Sequence, residues 1–320
     1  MHEGSQRAIV AAFLANLGIA VAKFVGFAFT GAASMLAEAV HSVADTSNQG
    51  LLLLGGRRAR RPPTPEHPFG YGKERYFWSF VVALVLFTAG ALFALFEGQE
   101  KLRHPHELDA VTWAIAILVI AIALESFSFR TAYLESRTIK RADETWWGFI
   151  RGAKVPELPV VLLEDAGALV GLTFALTGIG LAETTGNARW DAVGSLAIGL
   201  LLAFIAIVLA TEMKSLLIGE AASPELQAAI VDSLVGSDGV RRVIHLRTEH
   251  LAPDQLLVVA KFEPNPDLDV PGLAAAIDRA EAAVRAAVPD AQLIYLEPDL
   301  FRAPGEGGGP TTSPAGAPPR

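Results

Sequence analysis

Six apolar runs, each long enough to cross a bilayer, constrain this 320-residue chain more than any other feature. A hydrocarbon layer of about 30 Å takes roughly 20 helical residues. Runs near that length lie at Ala8 to Thr30, Ala33 to Gly56, Phe77 to Glu97, Ala110 to Leu134, Leu158 to Gly180 and Ala192 to Leu217. Backbone polar groups find no water in such a layer, so the runs are predicted as α-helices packed together. Hydrophobic residues make up 52% of the chain and charged residues 19%, which sets it apart from an ordinary soluble domain. The expected class is therefore a membrane all-α six-helix bundle on residues 1–217. The N-terminal MHEGSQR leads into the first run without a small-residue cleavage pattern, so that run is read as a retained span.

The connections suggest an orientation. Arg57, Arg58, Arg60 and Arg61 open the loop after the second run, and the loop after the fourth, ESRTIKRADETWWGFIRGAKVPEL, is also basic. The positive-inside rule places both loops in the cytoplasm, and both termini with them. The turn at Gly31 to Ala33 is so short that the first two helices must form an antiparallel hairpin. Trp146, Trp147 and Phe149 are expected at the lipid interface. Small residues near Ala89, Gly90 and Ala91, and at Gly194, Ser195, Ala197 and Gly199, allow close helix packing.

After the sixth run the composition becomes soluble. Ser223 to Val235 reads as a helix, Val240 to Thr248 and Gln255 to Glu263 alternate as strands, Val270 to Ala287 is helical, and Gln292 to Glu297 is a third strand. This αββαβ order predicts a small two-layer α+β domain on residues 218–301. Residues 302–320 are rich in Pro, Gly, Ser and Thr and are expected to be disordered.

Chemistry enters where the runs are not purely apolar. Ser34 to Gly56 carries Glu38, His41, Asp45 and Asn48 in its interior. An ionisable group at bilayer depth costs roughly 2.5–3.5 kcal/mol on the lenient insertion scale, so such groups usually face a bundle interior and serve a function. His41 and Asp45 are four residues apart, which stacks them on one helix face. An imidazole nitrogen beside a carboxylate suits Zn²⁺, with Mn²⁺ or Fe²⁺ as alternatives. The fourth run carries Glu125, as a proton-relay carboxylate or the partner of a polar neighbour, and the fifth carries Glu164 and Asp165. Asp45 lies about three turns, and Glu164 and Asp165 about two turns, from the cytoplasmic ends of antiparallel helices, so at ~1.5 Å per residue their depths agree within several ångström. Adjacent residues diverge by about 100° around a helix, so Asp165 is preferred as a ligand, with Glu164 as a hydrogen-bonding or proton-accepting group behind it. Lys23 in the first run either snorkels or pairs with Glu38, and Asp191 caps the sixth helix. The absence of cysteine excludes disulfides and thiolate ligands, and the net charge of −8 argues against nucleic acid as a partner.

The stretches TGAASMLAEAVHS, HSVADTSNQGLL and VVLLEDAGALVG together resemble the cation diffusion facilitator family, in its branch that holds an animal mitochondrial zinc transporter. The resemblance covers about residues 8–300 and implies six spans, cytoplasmic termini and a ferredoxin-like cytoplasmic domain. It also implies a homodimer that exchanges a divalent metal for protons. Its metal ligands would be His41 and Asp45 on the second helix and Asp165 on the fifth. The chain departs from the family pattern in three places. Val161 stands where a His usually precedes the fifth-helix Asp, Tyr71 replaces the second His of the loop motif while His67 remains, and Ile244 and Tyr295 occupy ligand positions of the cytoplasmic domain.

The expected function is divalent-cation efflux, as a Zn²⁺/H⁺ antiporter in a bacterial-type cell membrane, without catalysis and without a resident cofactor. Its metal residues are His41, Asp45, Asp165 and Glu164, followed by Asn48, Glu38, Glu125 and His67. Mn²⁺ or Fe²⁺ transport, and a non-transporting metal-binding scaffold, are the alternatives.

Overall fold

The computed structural model describes residues 13, 16–25, 28, 33–105 and 111–302, without the side chains of residues 33–38 and 41. The chain divides into two compact units, at Lys214 and Ser215.

The first unit is helical. Helix α1 is described over Asn16–Val25, and α2 spans Ala33–Arg58. A long third helix begins as α3 (Glu74–Val85), widens to a π-helical stretch at Leu86–Leu92 and continues as α4 (Phe93–Arg103). Helix α5 spans Val111–Ile139, the short α6 Trp146–Gly152, α7 Glu157–Thr185 and α8 Arg189–Ile218. Among the described residues, four helices are long and apolar enough to cross a membrane: Glu74–Arg103, Val111–Ile139, Glu157–Thr185 and Arg189–Ile218. Of the predicted first span only residues 13, 16–25 and 28 are described, and the rest of it lies outside the described residues. The 26 residues of α2 are long enough to cross, but the polar residues in its middle keep it out of that apolar set.

The surface of this unit carries apolar side chains in stripes. On α5, Trp113, Ile120 and Phe127 follow one another at steps of seven and are 68%, 59% and 72% exposed. Val193, Leu200 and Ile207 do the same on α8. Large exposed stripes of this kind suit hydrocarbon as solvent and would not be tolerated in water. The interior lies along α7, which packs Leu172 and Ile179 with Leu118 of α5, and Val160 with Leu52, Val82 and Leu202. Glycines bring α8 against its neighbours. A Cβ on Gly178 would stand 2.9 Å from the Trp190 carbonyl oxygen, and one on Gly199 would stand 2.6 Å from Leu95.

Two charged pairs close the ends of the long third helix. Arg75, at its start, donates Nε and Nη2 to the two carboxylate oxygens of Glu157 on α7, at 2.6 and 2.8 Å, and both side chains are buried. At the other end Lys101 donates to Asp191 of α8 at 2.9 Å, with Glu97 at 3.8 Å on the same side. Between them, Thr88 returns its hydroxyl to the Leu84 and Val85 carbonyls, which competes with the regular ladder and accompanies the wider π turn. Two expectations are corrected here. Asp191 lies inside the first turn of α8 as the partner of Lys101, while Asn187 Oδ1 accepts the Arg189 N–H. Lys23 does not snorkel: it is buried and donates to Ser42 Oγ at 2.8 Å, an alternative to lipid headgroups that a hydroxyl on the adjacent helix supplies.

The second unit contains α9 (Pro224–Val235), β1 (Val240–Ala252), β2 (Gln255–Pro264), α10 (Val270–Ala287) and β3 (Leu293–Pro298). Ser223 and Asp269 cap the two helices by accepting the N–H groups of Leu226 and Gly272. Strand β1 pairs antiparallel with β2 across a tight hairpin at Ala252↔Gln255, and β3 joins β2 in parallel after the α10 crossover. Leu256, Val258, Ala260 and Phe262 alternate inward from β2 onto Ile230 and Leu234 of α9 and Ala280 and Val284 of α10. Tight packing also fixes the entry to β1: Gly239 has φ +97°, and a Cβ there would meet the Cβ of Ala276 at 2.5 Å.

Candidate cation site

Helices α2, α5 and α7 bring acids into one buried layer. Asp45 on α2, Glu125 on α5, and Glu164 and Asp165 on α7 are each about 5% exposed or less. Glu164 lies within electrostatic range of Asp45, Asp165 and Glu125, and Asp165 within range of Glu125 and Asp45. Asp45 and Glu125 sit mid-helix and Glu164 and Asp165 about two turns into α7, and the four meet only because the helices pack side by side.

The adjacent acids on α7 point to different neighbours, as the 100° step between successive helical residues requires. Asn48 of α2 donates its amide Nδ2 to Glu164 Oε1. Ser128 of α5 donates its hydroxyl to Asp165 Oδ2 at 2.9 Å. Glu164 therefore belongs to the α2 side of the layer and Asp165 to the α5 side. The polar wall of α2 continues with Ser42, Thr46, Asn48 and Gln49, all buried. Asn48 Oδ1 and Gln49 Oε1 find no donor among the described residues. Buried amide oxygens are seldom left unmatched, and a cation is the kind of ligand that satisfies them.

The backbone of His41 and Glu38 lies in α2, but their side chains fall outside the described residues. Among the described residues, no three His, Asp or Glu side chains lie close enough together to hold a metal ion. His67 is exposed in the loop before α3, its ring edge-on to Tyr71 at 4.6 Å, and takes no part in the acidic layer. Val161 turns into the apolar core with Leu52, Val82 and Leu202. In the second unit Ile244 is half-buried on β1 and Tyr295 is 53% exposed on β3.

Sequence reasoning missed Ser128 and the Arg75–Glu157 pair. A serine in an apolar run reads as a helix-compatible small residue, and two charges 82 positions apart give no local sign that they meet. The spacing of Glu125 and Ser128, one helical turn, was the available signal for a second polar face.

Residues 9–218 match the model of the cation efflux transmembrane domain. The chain belongs to the cation efflux family. Within this family it is 34% identical over 248 residues to a mitochondrial proton-coupled zinc antiporter of Mus musculus, a match covering 77% of this chain and 43% of the relative. Metal tolerance protein C4 of Arabidopsis thaliana is 31% identical over 270 residues, 82% of this chain and 57% of the relative. The cation-efflux pump FieF of Serratia proteamaculans is 26% identical over 250 residues, 78% of each chain. The chain thus spans about half the length of the first two relatives. These likenesses bear out the resemblance read from the α2 and α7 stretches and place this cation efflux protein near the mitochondrial zinc transporter branch.

Proposed function

We propose that this protein moves a divalent metal cation, Zn²⁺ first, across a membrane in exchange for protons. The observation that carries the proposal is the buried layer of Asp45, Glu125, Glu164 and Asp165 with the unmatched amide oxygens of Asn48 and Gln49 beside it. A layer of acids inside a bundle is costly unless a positive charge visits it. Metal and protons compete for the same carboxylates and for His41, since a ligand must give up its proton to bind the ion. Exchange follows when the bundle presents the layer to one side and then to the other. The printed activity of the Mus musculus relative, proton-coupled zinc antiport, supports this reading.

Asp165 and Glu164 face different helices, so a cation gathered by three groups needs either His41 as a donor or a state in which Asp165 turns from α5 toward α2. The described donors are oxygens, which favours Mn²⁺ or Fe²⁺ as competing cargo. The proposed six-span arrangement has both termini in the cytoplasm, an orientation supported by the Arg57 to Arg61 cluster and the basic loop after α5. A ferredoxin-like second unit is supported by its α–β–β–α–β order, and a pairing role for it in a homodimer by the exposure of Tyr295 on the sheet face away from α9 and α10.

The test is metal flux in proteoliposomes under an imposed pH gradient. Zn²⁺ uptake that alkalinises the lumen in step, as protons leave in exchange, is expected from the wild type and is abolished in Asp45→Ala and Asp165→Ala. Full transport by both variants rejects the site, and metal binding without any flux favours a scaffold. Mn²⁺ outcompeting Zn²⁺ reassigns the cargo.

A further inference from the structure

Helix α5 brings Glu125 to the buried layer, and it also supplies the hydrogen bond of Asp165. Ser128 Oγ lies 2.9 Å from Asp165 Oδ2, and Glu125 is one turn earlier on the same helix, buried and within electrostatic range of the same carboxylate. On the opposite side Asn48 holds Glu164 in the same manner, with one carboxylate oxygen engaged. Glu164 and Asp165 are thus each tied by one neutral donor from a different flanking helix. A carboxylate with one oxygen engaged has its rotamer fixed and offers the other oxygen to an ion. Partners that orient a ligand in this way are worth about 10–100-fold in metal affinity.

We infer that Ser128 is a positioning residue for cation binding: through its hydroxyl, α5 holds the Asp165 carboxylate so that Oδ1 is the oxygen presented to a divalent cation. The inference rests on the transport reading and gives α5 a second contribution to the site beside Glu125. Alanine at 128 removes the donor with little change in volume, and threonine keeps it. The hydroxyl touches no part of the ion itself, so its removal acts on affinity and leaves the turnover of the loaded carrier nearly unchanged.

The experiment compares full-length wild type, Ser128→Ala and Ser128→Thr. Zn²⁺ and Mn²⁺ binding is measured by calorimetry in detergent, and KM and kcat by uptake into proteoliposomes. Ser128→Ala is expected to raise Kd and KM together by roughly 10-fold or more, with kcat nearly held, and Ser128→Thr to return both close to wild type. A Ser128→Ala protein with wild-type Kd and KM overturns the inference, as does a loss confined to kcat or one that threonine fails to rescue. A wild type that binds neither cation overturns the transport reading and this inference with it. A wild type that binds normally beside an unaltered Ser128→Ala overturns the role of Ser128 alone.

Discussion

The membrane unit treats its buried acids in two opposite ways. At the ends of the third helix, Glu157 receives a bidentate guanidinium from Arg75 and Asp191 receives the ammonium of Lys101. In the middle layer, the hydrogen-bond partners of Glu164 and Asp165 are a neutral amide and a neutral hydroxyl, with further carboxylates close by. The first arrangement balances charge within the protein and holds helices together. The second gives Glu164 and Asp165 neutral hydrogen-bond partners, which under the proposed transport reading leaves them to a cation that protons displace. Ion pairs at helix ends are fasteners, and the acids between them are suited to exchange.

Substitutions that remove one carboxylate at a time test this division. The largest functional effect is expected at the middle layer, where Glu164→Gln or Asp165→Asn loses metal flux while the melting midpoint in detergent stays at or above that of wild type. A clear drop in the midpoint would make those acids structural and dissolve the contrast. Glu157→Gln is expected to do the reverse, because it strands the buried Arg75 guanidinium; breaking one partner of a buried pair costs about 3–5 kcal/mol. The double variant Arg75→Met/Glu157→Leu should recover most of that loss, and failure to recover would mean that the pair carries more than its charge. Asp191→Asn should cost less, roughly 1.5–3 kcal/mol, since Lys101 keeps an amide oxygen and Glu97.

The smallest effect is expected where an ion pair is open to water. In the second unit Lys261 reaches Glu297 at 2.8 Å and Asp299 at 3.2 Å. Hydrogen bonds that Lys261 donates to Glu297 and then Asp299 raise its pKa, while the Leu300 N–H and then Lys261 lower that of Asp299. The Asp299 contribution is therefore present above its unfolded pKa and fades as pH falls through its lowered folded value. That of Lys261 is present below its unfolded pKa and fades as pH rises through its raised folded value. Between about pH 5 and 9 both persist, and this pair should add no pH dependence to the melting midpoint of the unit. Lys261→Met should scarcely change it, as exposed pairs are screened. A large shift would show that solvent exposure does not separate fasteners from bystanders in this protein.

Much of this was legible before any coordinates. Apolar runs of membrane length and alternation in β2 are local properties, written in neighbouring residues. So was the density of polar groups in α2, since hydrocarbon makes each of them conspicuous. Helix α5 was harder to read. Its Glu125 stood out while Ser128 did not, because a hydroxyl can satisfy itself on its own helix, as Ser126 does on the Ile122 carbonyl. The third helix was read as packing alone, although its two ends are charged and its middle widens at Thr88.

The sequence alone determined which segments must be buried in lipid and which residues would be too polar to lie there without a purpose. Tertiary structure alone decided their partners: Glu164 turned to Asn48, Asp165 to Ser128, and Glu157 to Arg75. Burial is set by the transfer free energy of each side chain, which a residue carries with it. Partnership between helices depends on their rotation and depth relative to each other, and those are fixed by packing among residues far apart in the chain, such as Leu172 against Leu118 and Gly178 against Trp190.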